Sequence, residues 1–174
     1  IGAVDWIQVG DTVLLAHEAY PIQQIQRQLD GSFTTGVYPF EFAPVTRIQA
    51  PSIELQPSAT IGTVTMTSLS GPVFRPGYDV VGSAAVKADI GGRWAFIGVQ
   101  FTILDVAEDG VTATVSVQGA FSSTDPSANW REPAAQAWCG YHRALAYFQE
   151  RLWIGGTPNS PVTLWASRTG APYD

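Results

Sequence analysis

His17 and His142 are the only histidines in the chain, and a metal centre built on them would need a carboxylate to complete it. Their separation matches no ligand spacing, so we read His17 as the end of a strand and His142 as part of a turn. Fifteen acidic residues allow some pair at glycosidase distance, but no pattern singles one out. Nucleophile chemistry lacks its frame, because G-x-S-x-G is absent. The phosphate-binding G-x-x-x-x-G-K-[ST] is absent too, and the single lysine, Lys87, is followed by Ala88. Cys139 stands alone and allows neither an intrachain disulfide nor a Cys-rich metal site. Glu108-Asp109-Gly110 is too short for a calcium loop and reads as a polar hairpin tip. Asn129 and Asn159 begin no glycosylation sequon. The expectation is a protein that is not an enzyme and holds no cofactor or metal.

Chemistry-bearing side chains gather instead in residues 141–170, YHRALAYFQERLWIGGTPNSPVTLWASRTG. Trp153 and Trp165 fall on adjacent expected strands. Aromatics on a sheet can stack on sugars or a protein partner, and in apolar strands they more often fill the core. Both readings stay open at this stage, with Trp94 as a third stacking candidate.

The whole chain sets bounds on these options. Its 174 residues are 45% apolar and only 14% charged, against roughly 25% charged in ordinary soluble domains. Twenty aromatics supply enough apolar area to offset chain entropy, so disorder is not expected. The net charge is −6, and the basic residues are eight Arg and one Lys with no cluster among them. A groove gripping nucleic-acid phosphates therefore has no electrostatic footprint. Arg suits planar, partly buried contacts. No apolar run is long enough to span a bilayer as a helix, and no signal peptide is visible. The chain opens on Ile1 and stops at Asp174, which reads as a piece of a longer protein.

Period-2 alternation dominates. Ile97, Val99, Phe101 and Ile103 share one face; Val111, Ala113, Val115 and Val117 share another. Asp109-Gly110 between them predicts a hairpin over 97–121. Two strands are expected around Gly10-Asp11, and a third in PIQQIQRQ. DGSFTTG is read as a turn, 38–50 as extended with proline breaks, and 51–60 as a linker. TIGTVTMTSLS is a further strand. Near the end, 144–148, 151–155 and 162–167 predict three short strands, turning at Gln149-Glu150 and at GTPNSP. Pro133 suits a helix N1 position, so one short helix is expected over 134–138.

The fold class expected is all-β, with short antiparallel strands. Residues 1–55 and 126–174 share a style of short aromatic strands, while 56–125 carries its own hairpin. That predicts an outer sheet domain split around a small inserted β-barrel-like domain. One continuous sandwich is the alternative.

The terminal residues also carry a resemblance. The order Trp130-Arg-Glu-Pro, then WCGYHRALAYFQERLWIGGT from Trp138, then PVTLWASRTG from Pro161, resembles tail tubular or nozzle proteins of short-tailed phages and prophages. Gly140, Tyr141, Arg143, Phe148, Arg151, Leu152, Gly155 or Gly156, Trp165, Ser167, Arg168 and Gly170 fit that pattern. His142 stands where the family has Pro. VDWIQVGDTVLLAHEAYPIQQIQR at the front is similar to the same family, and the middle matches in style through FRPGY and Gly-Gly-x-Trp.

The resemblance implies a non-enzymatic virion-tail part with a propeller-like body, here the sheet pieces at both ends, that forms a homo-oligomeric ring around the DNA exit channel. Its partners would be other tail or portal-adaptor proteins, with no membrane and no specific nucleic-acid binding. A negatively charged wall would let the duplex slide. Arg151 and Arg168 would pin strands and turns through backbone carbonyls or carboxylates such as Glu150 and Asp174. Ser167 would pin the turn after its strand, Gly155 and Gly156 would permit a bulge, and Trp153 and Trp165 would be core or interface. The alternative function is a carbohydrate- or receptor-binding β-module.

Overall fold

The computed structural model describes residues 4–46, 52–76 and 89–174. Lys87, the Gly77-Tyr78 end of FRPGY and the last part of the 38–50 stretch lie outside them. The described chain is all-β, with thirteen strands, and every strand pair is antiparallel. It divides into two compact units, one made of Ile1–Pro44 with Ala134–Asp174 and the other of Val45–Pro133.

The first unit opens with β1 (Asp5–Val9), β2 (Thr12–His17), β3 (Tyr20–Arg27) and β4 (Phe33–Val37), in that order in one sheet. Gly10-Asp11 makes the first reversal, with Val9 opposite Thr12. The fourth strand corrects the reading of DGSFTTG as a turn. Only Asp30-Gly31 turns, with the Asp30 carboxylate accepting from the Ser32 N–H and hydroxyl at 2.9 and 2.7 Å. Thr34 and Thr35, β-branched, then extend along β3.

The second unit holds β5 (Leu55–Pro57), β6 (Thr63–Ser68), β7 (Arg93–Phe96), β8 (Val99–Val106), β9 (Thr112–Val117) and β10 (Trp130–Arg131). They form one curled sheet in the order β10-β7-β8-β9-β6-β5. The expected linker at 51–60 thus contains a strand: Leu55 and Pro57 are buried beside β6, and Leu55 also exchanges backbone hydrogen bonds with Ser127. Because β5 and β10 close this sheet, the unit is wider than the 56–125 read from composition.

Its core explains why the alternating segments become strands. Phe101, Ile103, Ala113 and Val115 point inward with Trp94, Phe96, Met66 and Phe121. Burying each large apolar side chain contributes roughly 1.5–3 kcal/mol. Trp94 and Trp130 stack at 5.6 Å, and the Trp130 indole N–H donates to the Ile53 carbonyl at 2.8 Å. Gly110, at φ +67°, packs so tightly that a Cβ would lie 2.5 Å from the Phe74 carbonyl oxygen. The hairpin tip therefore accepts only glycine. Asp89 is fully buried; its carboxylate accepts the Arg75 backbone N–H at 2.5 Å, and Arg75 also reaches Glu132 at 3.1 Å. Burial, opposed by those Arg75 contacts, raises the Asp89 carboxyl above its usual range.

The chain then returns to the first unit with β11 (Ala144–Phe148), β12 (Arg151–Thr157) and β13 (Ser160–Ala166), a three-stranded sheet in that order. Leu145, Leu152 and Ile154 pack with Leu14, Ala16, Ile22 and Tyr38 of the four-stranded part. The helix expected over 134–138 is absent; those residues bend and turn. The Ala134 N–H goes to the Pro44 carbonyl, and the N–H groups of Gln136 and Cys139 go to Gly140 and Gln136. Gln136 and Gly140 face each other across an isolated antiparallel bridge, and Gly140 at φ +78° reverses the chain too early for a helix.

Candidate functional site

The 141–170 segment is a sheet whose ends are locked by its own side chains. At the first turn, Gln149 and Glu150 both take positive φ, +51° and +59°, the backbone of a two-residue type I′ hairpin. Neither is Gly or Asn, so the turn is held by what surrounds it. Gly170 supplies one tie, donating its N–H to the Glu150 carbonyl at 2.8 Å.

Ser167 supplies the next. Its N–H donates to the Leu152 carbonyl at 2.9 Å, continuing the β12–β13 ladder one residue past the strand. The return bond does not use the Ser167 carbonyl. Its Oγ accepts the Leu152 N–H at 3.0 Å and donates to the Arg168 carbonyl at 3.1 Å. That frees the Ser167 carbonyl to turn away, and the Arg151 guanidinium donates to it at 3.1 Å. Arg168 pairs with the Asp174 carboxylate at 3.0 Å, and its N–H donates to the Asp174 carbonyl. One hydroxyl and two guanidiniums thus replace the ladder where it would fray.

Strand register places the two tryptophans on opposite faces. Trp165 lies opposite Ile154, which lies opposite Leu145, so Trp165 shares the core-facing side. It is half-buried and meets His142 edge-to-face, with ring centroids 5.0 Å apart. Trp153 lies opposite Ala146 and Ala166 on the other side and donates its indole N–H to the Phe148 carbonyl at 3.3 Å. Trp94, the third stacking candidate, has no exposed surface and cannot meet a ligand. The register of β12 and β13 shifts between Gly155 and Thr157. Gly156 sits there at φ +52°, where a Cβ would lie 3.0 Å from the Pro161 carbonyl oxygen.

His142 is 3% exposed with its Nδ1 lacking a hydrogen-bond partner, and burial pushes its pKa down to about 4. It is a neutral packing residue at pH 7. His17 ends β2 and accepts the Ala19 N–H on its Nδ1 at 3.1 Å. Among the described residues no three His, Cys, Asp or Glu side chains converge as metal ligands.

Two features escaped sequence reasoning. One is a hollow of ≈ 50 Å³ walled by Tyr38, Tyr147 and Tyr173 over Leu14 and Leu152. It has room for a few waters, well short of a ligand pocket. Tyr38 stacks on Tyr173 at 5.0 Å and donates to the Pro172 carbonyl at 3.0 Å. Burial, with Tyr173 and Tyr147 nearby, pushes its hydroxyl pKa up. Nothing in the order of these tyrosines along the chain announces their meeting. The other feature is the outer face of the four-stranded sheet. Trp6, Leu15, Gln23 and Val37 form one cross-strand row, and Gln8, Val13, Ile25 and Thr35 the next. Trp6 is 62% exposed. Alternation in β1 and β2 carries that signal, since it puts apolar residues on both faces.

No protein-family model matches the chain, and no curated protein matches it either.

Proposed function

We propose that the chain is a non-enzymatic structural component of a phage or prophage tail, part of a nozzle or tail-tube ring around the DNA exit channel. It would assemble with other tail or portal-adaptor proteins in the virion tail. The observation that carries the reading is how the side chains of the resemblance motif are used. Arg151, Ser167 and Arg168 all bond to the chain around their own sheet. Such contacts spend hydrogen-bonding groups on setting the local geometry of the chain. The open, uncharged strands and the exposed apolar face of the first unit supply contact surface for neighbours.

The carbohydrate-binding alternative loses its platform on this arrangement. Trp94 is buried, and Trp153 and Trp165 cannot stack on one sugar from opposite faces of a sheet. A glycan array combined with a tryptophan-fluorescence titration separates the two readings. The structural reading expects no sugar-dependent quenching. Saturable quenching by a glycan, lost in Trp153→Ala, would reverse the choice.

A further inference from the structure

Tyr38 and Tyr173 meet from distant parts of the chain, and each is held in place by its own bonds. The Tyr38 N–H donates to the Ile22 carbonyl at 2.8 Å, and its hydroxyl donates to the Pro172 carbonyl at 3.0 Å. The Tyr173 carbonyl accepts the Glu41 N–H at 2.7 Å, and Arg168 anchors the next residue, Asp174, through its side chain and its N–H. The two rings stack at 5.0 Å with their planes 14° apart. Near-parallel rings at that separation lie offset, which sets edge carbons of one phenol against the other ring. Tyr147, 39% exposed, walls the same hollow and brings a partly solvent-exposed phenol to its edge. Packing alone asks for aromatic rings at these places; phenols add a one-electron chemistry that phenylalanine lacks.

We propose that Tyr38 and Tyr173 form a modification site, coupling ring to ring as dityrosine under a one-electron oxidant, with Tyr147 as the phenol that the oxidant meets first. The oxidant is peroxide activated by a haem peroxidase. Tyr147 loses an electron to it and regains one from the pair, so Tyr147 ends unchanged. Tyr38 and Tyr173 each lose one electron and the hydroxyl proton, which passes to water, for which the hollow has room. The two phenoxyl radicals join through ring carbons ortho to oxygen, and the two ring hydrogens shift as protons to the oxygens, restoring both hydroxyls. The peroxide takes up the two electrons and two protons and leaves as two waters. Proximity selects the partner: a radical on Tyr38 has the Tyr173 ring already in place, whereas coupling between chains waits on collision. The new bond fastens the 168–174 turn to the segment 38–42, which the Glu41 N–H already ties to Tyr173.

Treating the native chain with dilute peroxide and a haem peroxidase tests it, read by dityrosine fluorescence and by mass spectrometry of the digest. The expected result is a joined peptide pair carrying residues 38 and 173, lighter by two hydrogens than the separate peptides. The chain should still run as a monomer on a denaturing gel, and its denaturation midpoint should rise above that of the untreated chain. Tyr173→Phe keeps a ring in the stack and should abolish the joined peptides. Tyr147→Phe should leave the link but slow its formation several-fold, and an unchanged rate would overturn the relay. Dityrosine at native yield in Tyr173→Phe would overturn the pairing. So would links carried mainly by Tyr20, at 64% the most exposed tyrosine among the described residues, or no dityrosine at all while Tyr20 is oxidised.

Discussion

Ser167 and His142 carry their sheet in opposite ways, one through its hydroxyl bonds and the other as a buried, uncharged ring whose Nδ1 has no hydrogen-bond partner. Removing the Ser167 hydroxyl leaves the Leu152 N–H, buried at the sheet end, without an acceptor. An unpaired buried donor costs about 1–3 kcal/mol. Ser167→Ala should therefore lower stability by that amount in chemical denaturation, whereas Ser167→Thr, which keeps the hydroxyl, should retain most of it. His142 acts through pH. Its pKa is about 4 in the folded protein against an ordinary value of 6.5, so the unfolded chain takes up the proton first as pH falls. Its contribution is complete above pH 6.5 and is lost as pH falls from there toward 4. The full loss is on the order of 3 kcal/mol. His142→Phe should flatten the fall in melting temperature between about pH 7.5 and 5 relative to the native chain. An unchanged pH profile would place the sensitivity elsewhere. The residue roles were partly legible in the sequence. Arg168 meets Asp174, one of the named carboxylates, and Ser167 lies at the end of its strand. That Ser167 substitutes its hydroxyl for its own carbonyl depends on three-dimensional register, which spacing does not encode.

Elements were legible where alternation and turn chemistry agreed, except that Ile97, read as the start of an alternating strand, forms with Gly98 the turn between β7 and β8. Phe101, Ile103, Ala113 and Val115 face one core because Asp109-Gly110 sets the hairpin between them. The strand Phe33–Val37 was missed because Thr-Thr-Gly lacks apolar alternation, and its hydrogen-bonding partner lies in β3. Leu55–Pro57 was missed because Pro51 precedes and Pro57 ends a short stretch whose pairing with β6 is not local. The Gln149-Glu150 turn offers a direct test at this scale. Both residues hold left-handed backbone that costs of order 1 kcal/mol or more for a non-glycine residue. The double substitution Gln149→Asn with Glu150→Gly supplies the residue types this turn favours and keeps the backbone carbonyl that receives the Gly170 N–H. Stability should rise by about 1 kcal/mol, read as a higher denaturation midpoint. A lower midpoint would mean the two native side chains contribute more than the strain they cost.

At the scale of the whole molecule, the all-β class was legible in the period-2 alternation and the scattered Gly and Pro. The meeting of Tyr38, Tyr147 and Tyr173 was not, since it joins residues far apart in the chain. The central claim is that this chain belongs to a virion tail. Mass spectrometry of purified particles, from phage or induced prophage encoding the chain, tests it most directly. The account predicts peptides of this chain in intact particles at several copies each, with antibody label at the tail end. Particles that lack these peptides, with the protein left in the host lysate, would contradict it.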